Sequence, residues 1–275
     1  GLAGVLSGDP QYLLLDEPTG HLDSQGSRVL ADILRELRAR GKGVVVASHD
    51  SRIWALADKC YTVNRSLAEG CPGLPSLPER PPGSINGGVV LELRDVWASY
   101  PGGPPVLRGV SLEARGGELT AITGPNGAGK TTVLLVASGI LKPSRGRITL
   151  REKPALLPAD PLLLFSRGTL REELKEQGRR VPQWALGVAD KPLLRASGGE
   201  LRLAALALVA GSGRRLLLVD EPTVGLDPWN RRSIAEVLLG LAGEGYAVVY
   251  TTHDDELASL ANRVYVVEGG VARRA

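Results

Sequence analysis

The sequence predicts an α/β fold built around a buried parallel sheet. Three observations lead to this prediction: short apolar runs that end in carboxylates, a repeated order of strand, helix and strand, and a glycine-rich turn directly after an apolar run. A chain of 275 residues with 43% hydrophobic content can form one large core or two modest ones.

Two pairs of apolar runs supply the predicted strands. Tyr12–Leu15 and Leu216–Val219 end in acidic residues, and Gly43–Ala47 and Ala247–Thr251 follow them further along the chain. Runs without polar alternation are typical of strands that are buried on both faces. Helix-like stretches separate the members of each pair, at Ser27–Arg40 and Arg231–Ala242. This order favours parallel pairing within each strand–helix–strand segment.

The same segment occurs twice in the chain. Asp16-Glu17-Pro18-Thr19 recurs as Asp220-Glu221-Pro222-Thr223, an offset of 204 residues (220 − 16). Without a gap, the offset also carries Leu22-Asp23 onto Leu226-Asp227 and His49-Asp50 onto His253-Asp254. A register that holds through a strand, a helix and a second strand indicates an internal duplication.

The duplication predicts a two-domain organisation. We expect a partial first domain over 1–68, a Pro/Gly-rich linker over 69–88 and a complete second domain over 89–275. The first copy has no counterpart of residues 89–200 in this sequence, which also contains no methionine. The expectation is therefore a fragment of a longer tandem protein, or a decayed reading frame.

A glycine-rich turn carries the strongest chemical signal. Gly124–Thr131 fits G-x-x-x-x-G-K-[ST] between the apolar run Leu119–Thr123 and a helical stretch, Thr132–Gly139. Its glycines let backbone N–H groups surround a phosphate, Lys130 adds a positive charge, and the hydroxyl of Thr131 can bind Mg²⁺. With the flanking strand and helix in place, phosphate binding is favoured over a chance match.

Asp220 and Glu221 stand at the end of the apolar run Leu216–Val219. A carboxylate at this place can serve Mg²⁺, and a second one directly after it can act as the general base for an attacking water. An acidic pair at a helix N-terminus is the alternative interpretation. The phosphate-binding turn in the same chain makes that alternative minor.

Composition narrows the class of partner. A formal net charge of +3 and a pI near 9.0 leave no basic arm for nucleic acid, so no nucleic-acid partner is expected. The chain lacks a run of 18 apolar residues, and direct membrane insertion is not expected either. Cys60 and Cys71 lie outside C-x-x-C spacing, which favours ordinary reduced thiols.

Together these motifs resemble the ATP-binding cassettes of ABC transporters. Gly124–Thr131 is similar to the Walker A motif of that family, and Leu216–Glu221 is similar to its Walker B motif. The other matches are the signature at Ser197, Gly198, Gly199 and Glu200, the D-loop residue Asp227, the switch histidine His253 and an adenine-stacking aromatic, Tyr100. The first copy supplies the equivalents Asp16, Glu17, Asp23 and His49.

The resemblance implies a P-loop NTPase core with a parallel sheet, an antiparallel β-subdomain and a helical subdomain. We expect the helical subdomain to be reduced, because the interval from Ala159 to Ser197 is short for the family. Ala159 stands where the family keeps a glutamine that touches Mg²⁺, and Asp160 follows it.

The resemblance also implies the site residues and the ligands, ATP and Mg²⁺. Glu221, His253 and Lys130 would be catalytic, and Thr131 and Asp220 would hold Mg²⁺. The implied ATP-binding residues are Tyr100, Gly124, Asn126, Gly127, Gly129, Lys130, Thr131 and Thr132. The signature would cap an ATP that is bound on an opposite cassette.

The implied function is an ATP-binding and ATP-hydrolysing subunit that powers a membrane transporter. Leu164–Leu174 resembles a loop in ATPases of energy-coupling-factor importers, which take up vitamins, cobalt or nickel. The implied partners are transmembrane subunits and a second cassette, from an upstream half or a homodimer, at the cytoplasmic face of the cell membrane. Two alternatives stay open: a soluble ABC protein that acts on ribosomes or nucleic acid, and a catalytically impaired or vestigial nucleotide-binding fragment.

Overall fold

The computed structural model describes residues 4, 7–19, 22, 24–48, 50–64, 66–71, 73–80 and 87–275. The chain divides into two compact units, residues 1–75 and residues 76–275. Within the described ranges, every helix is too short or too polar to cross a membrane.

The first unit is built around a parallel pair of strands and one long helix. In chain order its elements are β1 (Tyr12–Asp16), α1 (Ser24–Ala39), β2 (Gly43–Ala47), α2 (Ser51–Trp54), β3 (Tyr61–Asn64) and β4 (Ser66–Glu69). β1 pairs with β2 from Tyr12 opposite Gly43 to Asp16 opposite Ala47. The core of the unit lies on one face of this pair, where Leu30, Leu34 and Ile53 are buried.

The opposite face of the β1–β2 pair is apolar and exposed. Successive side chains of a strand point to opposite faces, so Leu13 is buried in the unit while its neighbours Tyr12 and Leu14 point outwards. Val45 of β2 is exposed as well. We call Tyr12, Leu14 and Val45 the open face of the first unit.

A disulfide joins Cys60 to Cys71 in the first unit, so the expectation of reduced thiols is wrong in this structure. The pairing of β3 with β4 runs from Tyr61 opposite Glu69 to Asn64 opposite Ser66. The N–H of Gly70 donates to the carbonyl of Cys60 and extends this ladder. The ladder brings the two Cα atoms to 5.3 Å, a separation that suits a disulfide. Spacing along the sequence does not reveal this contact.

The second unit contains two sheets and the helices that cover them. In chain order its elements are β5 (Val89–Ser99), β6 (Pro105–Arg115), β7 (Leu119–Thr123), α3 (Lys130–Ala137), β8 (Arg145–Leu150), β9 (Pro154–Leu157), α4 (Leu170–Glu176), α5 (Gly198–Gly211), β10 (Leu216–Val219), α6 (Pro228–Gly243), β11 (Ala247–Thr251), α7 (Asp255–Ser259), β12 (Arg263–Glu268) and β13 (Val271–Arg274).

The larger sheet of the second unit has, within residues 87–275, the strand order β13-β12-β7-β11-β10-β9. All its neighbours pair in parallel except β12 and β13. The smaller sheet, in the order β6-β5-β8, is antiparallel. The fold class predicted from the sequence, a parallel core with an antiparallel β-subdomain, is confirmed.

Both faces of the parallel sheet are covered. On one face Leu216, Leu218 and Val249 share a core with α3 and the antiparallel sheet. On the other face Leu217 and Val248 share a core with α5 and α6. Burial on both faces explains why these strands are continuous apolar runs.

The helical subdomain is small, as predicted. Between β9 and the start of α5 the structure has one α-helix, α4, together with 3-10 turns at Pro161–Leu164, Gln183–Val188 and Leu193–Arg195. A separate apolar cluster that includes Leu170, Leu174 and Leu193 holds this part together.

The two copies of the duplicated segment fold alike. α1 and α6 begin and end at positions related by the offset of 204 (228 − 24, 243 − 39), and so do β2 and β11 (247 − 43, 251 − 47). The strand register is shared, since Tyr12 pairs with Gly43 and Leu216 with Ala247.

Part of the predicted linker 69–88 packs on the second unit. The carbonyl of Ser76 accepts a hydrogen bond from Arg232 at 3.0 Å, and Arg80 donates to the carbonyl of Ala261 at 2.9 Å. Leu77 packs against the core beside α6. The second unit therefore begins at residue 76. Hydrophobic periodicity does not predict this boundary, because these contacts are made by residues outside any helix or strand.

Candidate functional site

The glycine-rich turn joins β7 to α3 at the carboxyl end of the parallel sheet. Gly124 has φ 138, and a Cβ atom at this position would lie 2.1 Å from the carbonyl oxygen of Val267, so only glycine fits. The ammonium of Lys130 donates to the carbonyls of Gly124 at 2.9 Å and Pro125 at 3.2 Å. Lys130 is 7% exposed, and its charge is therefore held inside the turn.

Asp220, at the end of β10, lies beside the first turn of α3. Its Oδ1 atom accepts hydrogen bonds from Thr131 Oγ1 at 3.2 Å and from Thr251 Oγ1 at 2.5 Å. The Asp220 side chain is buried while Thr131 is exposed. One carboxylate and one hydroxyl form an oxygen pair of the kind that Mg²⁺ accepts when phosphate and water complete its coordination.

Glu221 is held in an uncommon backbone conformation. Its φ of 46 places a residue with a side chain in the left-handed region. The N–H of Glu221 donates to Thr251 Oγ1 at 2.9 Å. Its carboxylate lies between two potential cations: Oε2 is 3.1 Å from Nδ1 of His253, and Oε1 is 3.7 Å from Nζ of Lys130.

The pKa of His253 is raised from its ordinary value of 6.5, chiefly by its hydrogen bond to Glu221. Burial and the nearby charge of Lys130 act in the opposite direction. A raised folded-state pKa means that this pair stabilises the fold fully below pH 6.5 and less as pH rises through the folded-state value.

Titration of His253 by NMR tests this pair. We expect a pKa above 6.5 in the unaltered protein and a lower pKa in Glu221→Gln, which keeps the shape of the side chain but removes its charge. The histidines at 21 and 49 occur in the same chain, so a His253→Gln sample assigns the signal. An unshifted pKa in Glu221→Gln would contradict the geometry described here.

The residues predicted as signature and D-loop lie at the first turns of α5 and α6. Ser197 caps α5 by accepting from the N–H of Glu200 at 3.3 Å, and Glu200 accepts from the N–H of Ser197 at 2.8 Å. Asp227 caps α6 by accepting from the N–H of Asn230 at 2.9 Å. A Cβ atom on Gly199 would lie 2.2 Å from Cγ of Asn230. The absence of a side chain at Gly199 therefore allows these two helix starts to touch.

The remaining predicted residues have simpler surroundings. Tyr100 is partly exposed, and its hydroxyl lies 3.2 Å from Oγ1 of Thr132 on α3. Asn126 and Gly127 are exposed at the tip of the glycine-rich turn, while Gly129 is buried at its end. Ala159 is exposed after β9, and Asp160 caps the 3-10 turn that follows by accepting from the N–H of Leu162 at 3.0 Å.

The first unit keeps only part of this arrangement among its described residues. Asp16 ends β1, and Glu17 has φ 40, close to that of Glu221. The N–H of Glu17 donates to the carbonyl of Ala47 at 2.9 Å, where Thr251 supplies a hydroxyl in the second copy. Asp23 and His49 lie outside the described residues.

Two residues of the site have no place in the motif pattern. Thr251 bridges Asp220 and Glu221, and Arg202 donates to the carbonyl of Glu221. Each leaves a signal in the sequence: a hydroxyl at the end of the apolar strand β11, and a single Arg within the largely apolar helix α5. Neither signal gives the contact partner.

Comparison with known proteins identifies the family. Residues 107–224 match the family described as ABC transporter. The energy-coupling factor transporter ATP-binding protein EcfA of Methanothermobacter thermautotrophicus is 33% identical over 213 residues, which is 66% of this chain and 68% of that protein. The chain belongs to the ABC transporter ATP-binding family.

One further relative and one solved structure show how much of this ABC protein is similar to known proteins. A putative ABC transporter ATP-binding protein of Treponema denticola is 26% identical over 329 residues, covering 98% of this chain and 65% of that protein. The structure of CbiO1 from Clostridium perfringens, described as part of the ABC transporter complex CbiONQ, is 26% identical with a TM-score of 0.60. It covers 67% of this chain and 87% of that one.

Proposed function

We propose that this ABC protein binds and hydrolyses ATP to power a membrane transporter, and that the transporter is an importer of the energy-coupling-factor type. The observation that supports hydrolysis most directly is the position of Glu221. Its carboxylate lies 3.7 Å from the ammonium of Lys130 and 3.1 Å from the ring of His253. The proposed base, the proposed phosphate-binding cation and the histidine therefore share one site.

The residues fit Mg-ATP. Gly129, the N-cap of α3, makes no side-chain cap hydrogen bond, and a helix N-terminus with its dipole favours phosphate. Lys130 would hold the phosphates, and Thr131 and Asp220 would hold the metal, which supplies charge neutralisation when it is bound. Tyr100 would contact the adenine. Among the described residues no group of three or more His, Cys, Asp or Glu is arranged to hold a metal ion. Asp220 and Thr131 would therefore share the metal with phosphate and water oxygens.

In the proposed mechanism, Glu221 accepts a proton from the water that attacks the terminal phosphate. His253 would contact that phosphate, and its hydrogen bond to Glu221 orients both side chains. Thr251 and the left-handed backbone fix the direction in which the carboxylate points. The burial of Lys130 strengthens its attraction for phosphate, since charge interactions are larger away from water.

A second cassette completes the site in this proposal. Ser197, Gly198 and Gly199 would cap an ATP held by the opposite cassette, with the N-terminus of α5 directed at the phosphate. The second cassette is either another copy of residues 89–275 or the complete form of the domain whose later part is residues 1–68. The relative from Treponema denticola, which matches 98% of this chain, favours the tandem arrangement.

Transmembrane subunits are the proposed partners, at the cytoplasmic face of the membrane. The names of EcfA and of the CbiONQ complex support this proposal, since both describe parts of transporters. The helical subdomain offers contact surface, because its leucines Leu162, Leu163, Leu186 and Leu194 are exposed.

The proposed function is tested by ATP hydrolysis over a range of protein concentrations, beside Lys130→Ala. We expect turnover to rise more than linearly with concentration, because two cassettes form each site, and to vanish in Lys130→Ala, which loses the phosphate-binding charge. Binding of ATP without turnover at any concentration would reject hydrolysis by this chain. That outcome favours the second candidate, a nucleotide-sensing remnant, for which Ala159 in place of a metal-contacting glutamine is the supporting observation.

A further inference from the structure

Arg202 is a buried cation that links α5 to the loop after β10. It lies within the first turns of α5, just after the signature, and is 9% exposed. Nη1 of Arg202 donates to the backbone carbonyl of Glu221, and Nη2 donates to the carbonyl of Val224 at 3.4 Å. Both acceptors are backbone carbonyls of the loop between β10 and α6, at residues 221 and 224.

The backbone of Glu221 needs such restraint. A left-handed conformation is unfavourable for a residue with a side chain and persists where the surroundings hold it. The N–H of Glu221 is bound by Thr251 on β11, and the carbonyl of Glu221 is bound by Arg202 on α5. Glu17 in the first copy adopts a similar φ, and its N–H is likewise bound from the neighbouring strand, by the carbonyl of Ala47. Arg202 adds a second restraint in the second copy, on the carbonyl of Glu221.

The charge of Arg202 also faces the site. Burial lowers the pKa of Arg202, and the negative charges of Glu221, Asp220 and Asp160 act in the opposite direction. An apolar side chain of similar length would remove the donors from both carbonyls. A lysine would keep one charge but has no planar fork that can reach two acceptors at once.

We propose that Arg202 is a positioning residue that fastens the backbone of Glu221 and the start of the D-loop to the signature helix α5. The signature and the general base then move as one body, so that an ATP capped by α5 and an ATP cleaved at Glu221 are mechanically linked. This role rests on the proposed ATP hydrolysis, but the restraint itself can be measured without turnover.

The experiment compares Arg202→Met and Arg202→Lys with the unaltered protein and with Arg263→Met. Arg263 is another largely buried arginine, bound to Glu118 and Glu113 near the start of β7 and β12, at the far end of the sheet. For each protein we would measure amide hydrogen exchange over residues 218–226, the dissociation constant for ATP, kcat and Tm.

We expect Arg202→Met to speed exchange over residues 218–226 and to lower kcat about tenfold or more, because small displacements of a catalytic group have large effects on rate. ATP affinity should stay within about twofold, since Lys130 and Thr131 remain in place. Arg202→Lys should show the same changes to a smaller degree. Arg263→Met should lower Tm without changing exchange over residues 218–226 or kcat.

Unchanged exchange over residues 218–226 in both Arg202 variants would overturn the proposal, and so would a rise spread evenly over the whole second unit. If Arg202→Met does not fold, Arg202→Lys carries the comparison. A lack of turnover in the unaltered protein would reject the proposed hydrolysis, while the exchange data would still decide whether Arg202 anchors Glu221.

Discussion

Glu221→Gln is expected to lower the rate of ATP hydrolysis by a factor of about 10² to 10⁴, the usual contribution of a general base. Glutamine keeps the size of the side chain and cannot accept the proton of the attacking water. The backbone contacts to Thr251 and Arg202 do not involve the carboxylate, so the loop should keep its conformation. ATP binding should persist, because Lys130, Thr131 and Asp220 are unchanged.

The measurement is single-turnover hydrolysis together with ATP binding and sedimentation. Because bound ATP is not consumed, the variant should also accumulate an ATP-dependent dimer if two cassettes close on the nucleotide. Glu236→Gln is the matched control, since Glu236 lies on the exposed surface of α6, where it pairs with Arg232. A Glu221→Gln protein that hydrolyses ATP at the normal rate would remove Glu221 from the mechanism.

The second large effect concerns stability and uses the internal duplication. Leu218 is 0% exposed in the core between the parallel sheet and α3, whereas Leu14, its counterpart at the offset of 204, is 80% exposed on the open face. Leu218→Ala should destabilise the second unit by about 2–5 kcal/mol, the usual range for a buried leucine. Leu14→Ala should change stability by less than about 0.5 kcal/mol.

Scanning calorimetry can measure both variants, with a shift in Tm of roughly 2–4 °C per kcal/mol for the second unit and roughly 4–8 °C per kcal/mol for the smaller first unit. Both variants shorten leucine to alanine at equivalent positions of the two copies. The difference in strand propensity between leucine and alanine is therefore the same in both variants. An equal loss of stability in both would mean that the open face is covered in solution.

Some elements could be predicted closely because local chemistry sets their limits. β7, β10 and β11 match their predicted bounds, since each is an apolar run with polar residues, glycine or proline nearby. The start of α6 was predicted three residues late (231 − 228), because hydrophobic periodicity misses the Asp227 cap and Pro228, which fit a first helical turn.

Contacts between distant parts of the chain could not be predicted from local pattern. The sequence places Lys130, Asp220 and Glu221 in one site, because strand ends meet at one edge of a parallel sheet. The bridge made by Thr251, the anchor made by Arg202 and the disulfide of Cys60 depend on register and helix placement. Strand register and helix placement are fixed only when the whole unit packs.

The open face of the first unit has a practical consequence for any work in solution. Tyr12, Leu14 and Val45 form an apolar surface on a two-stranded sheet, and such surfaces promote self-association. Association through an apolar surface becomes stronger with sulfate and other salts that are excluded from the protein surface, and it does not depend on nucleotide. Closure of two cassettes, in contrast, requires ATP. Light scattering with and without ATP, at low and high salt, therefore distinguishes nonspecific association through the open face from an ATP-dependent dimer of cassettes.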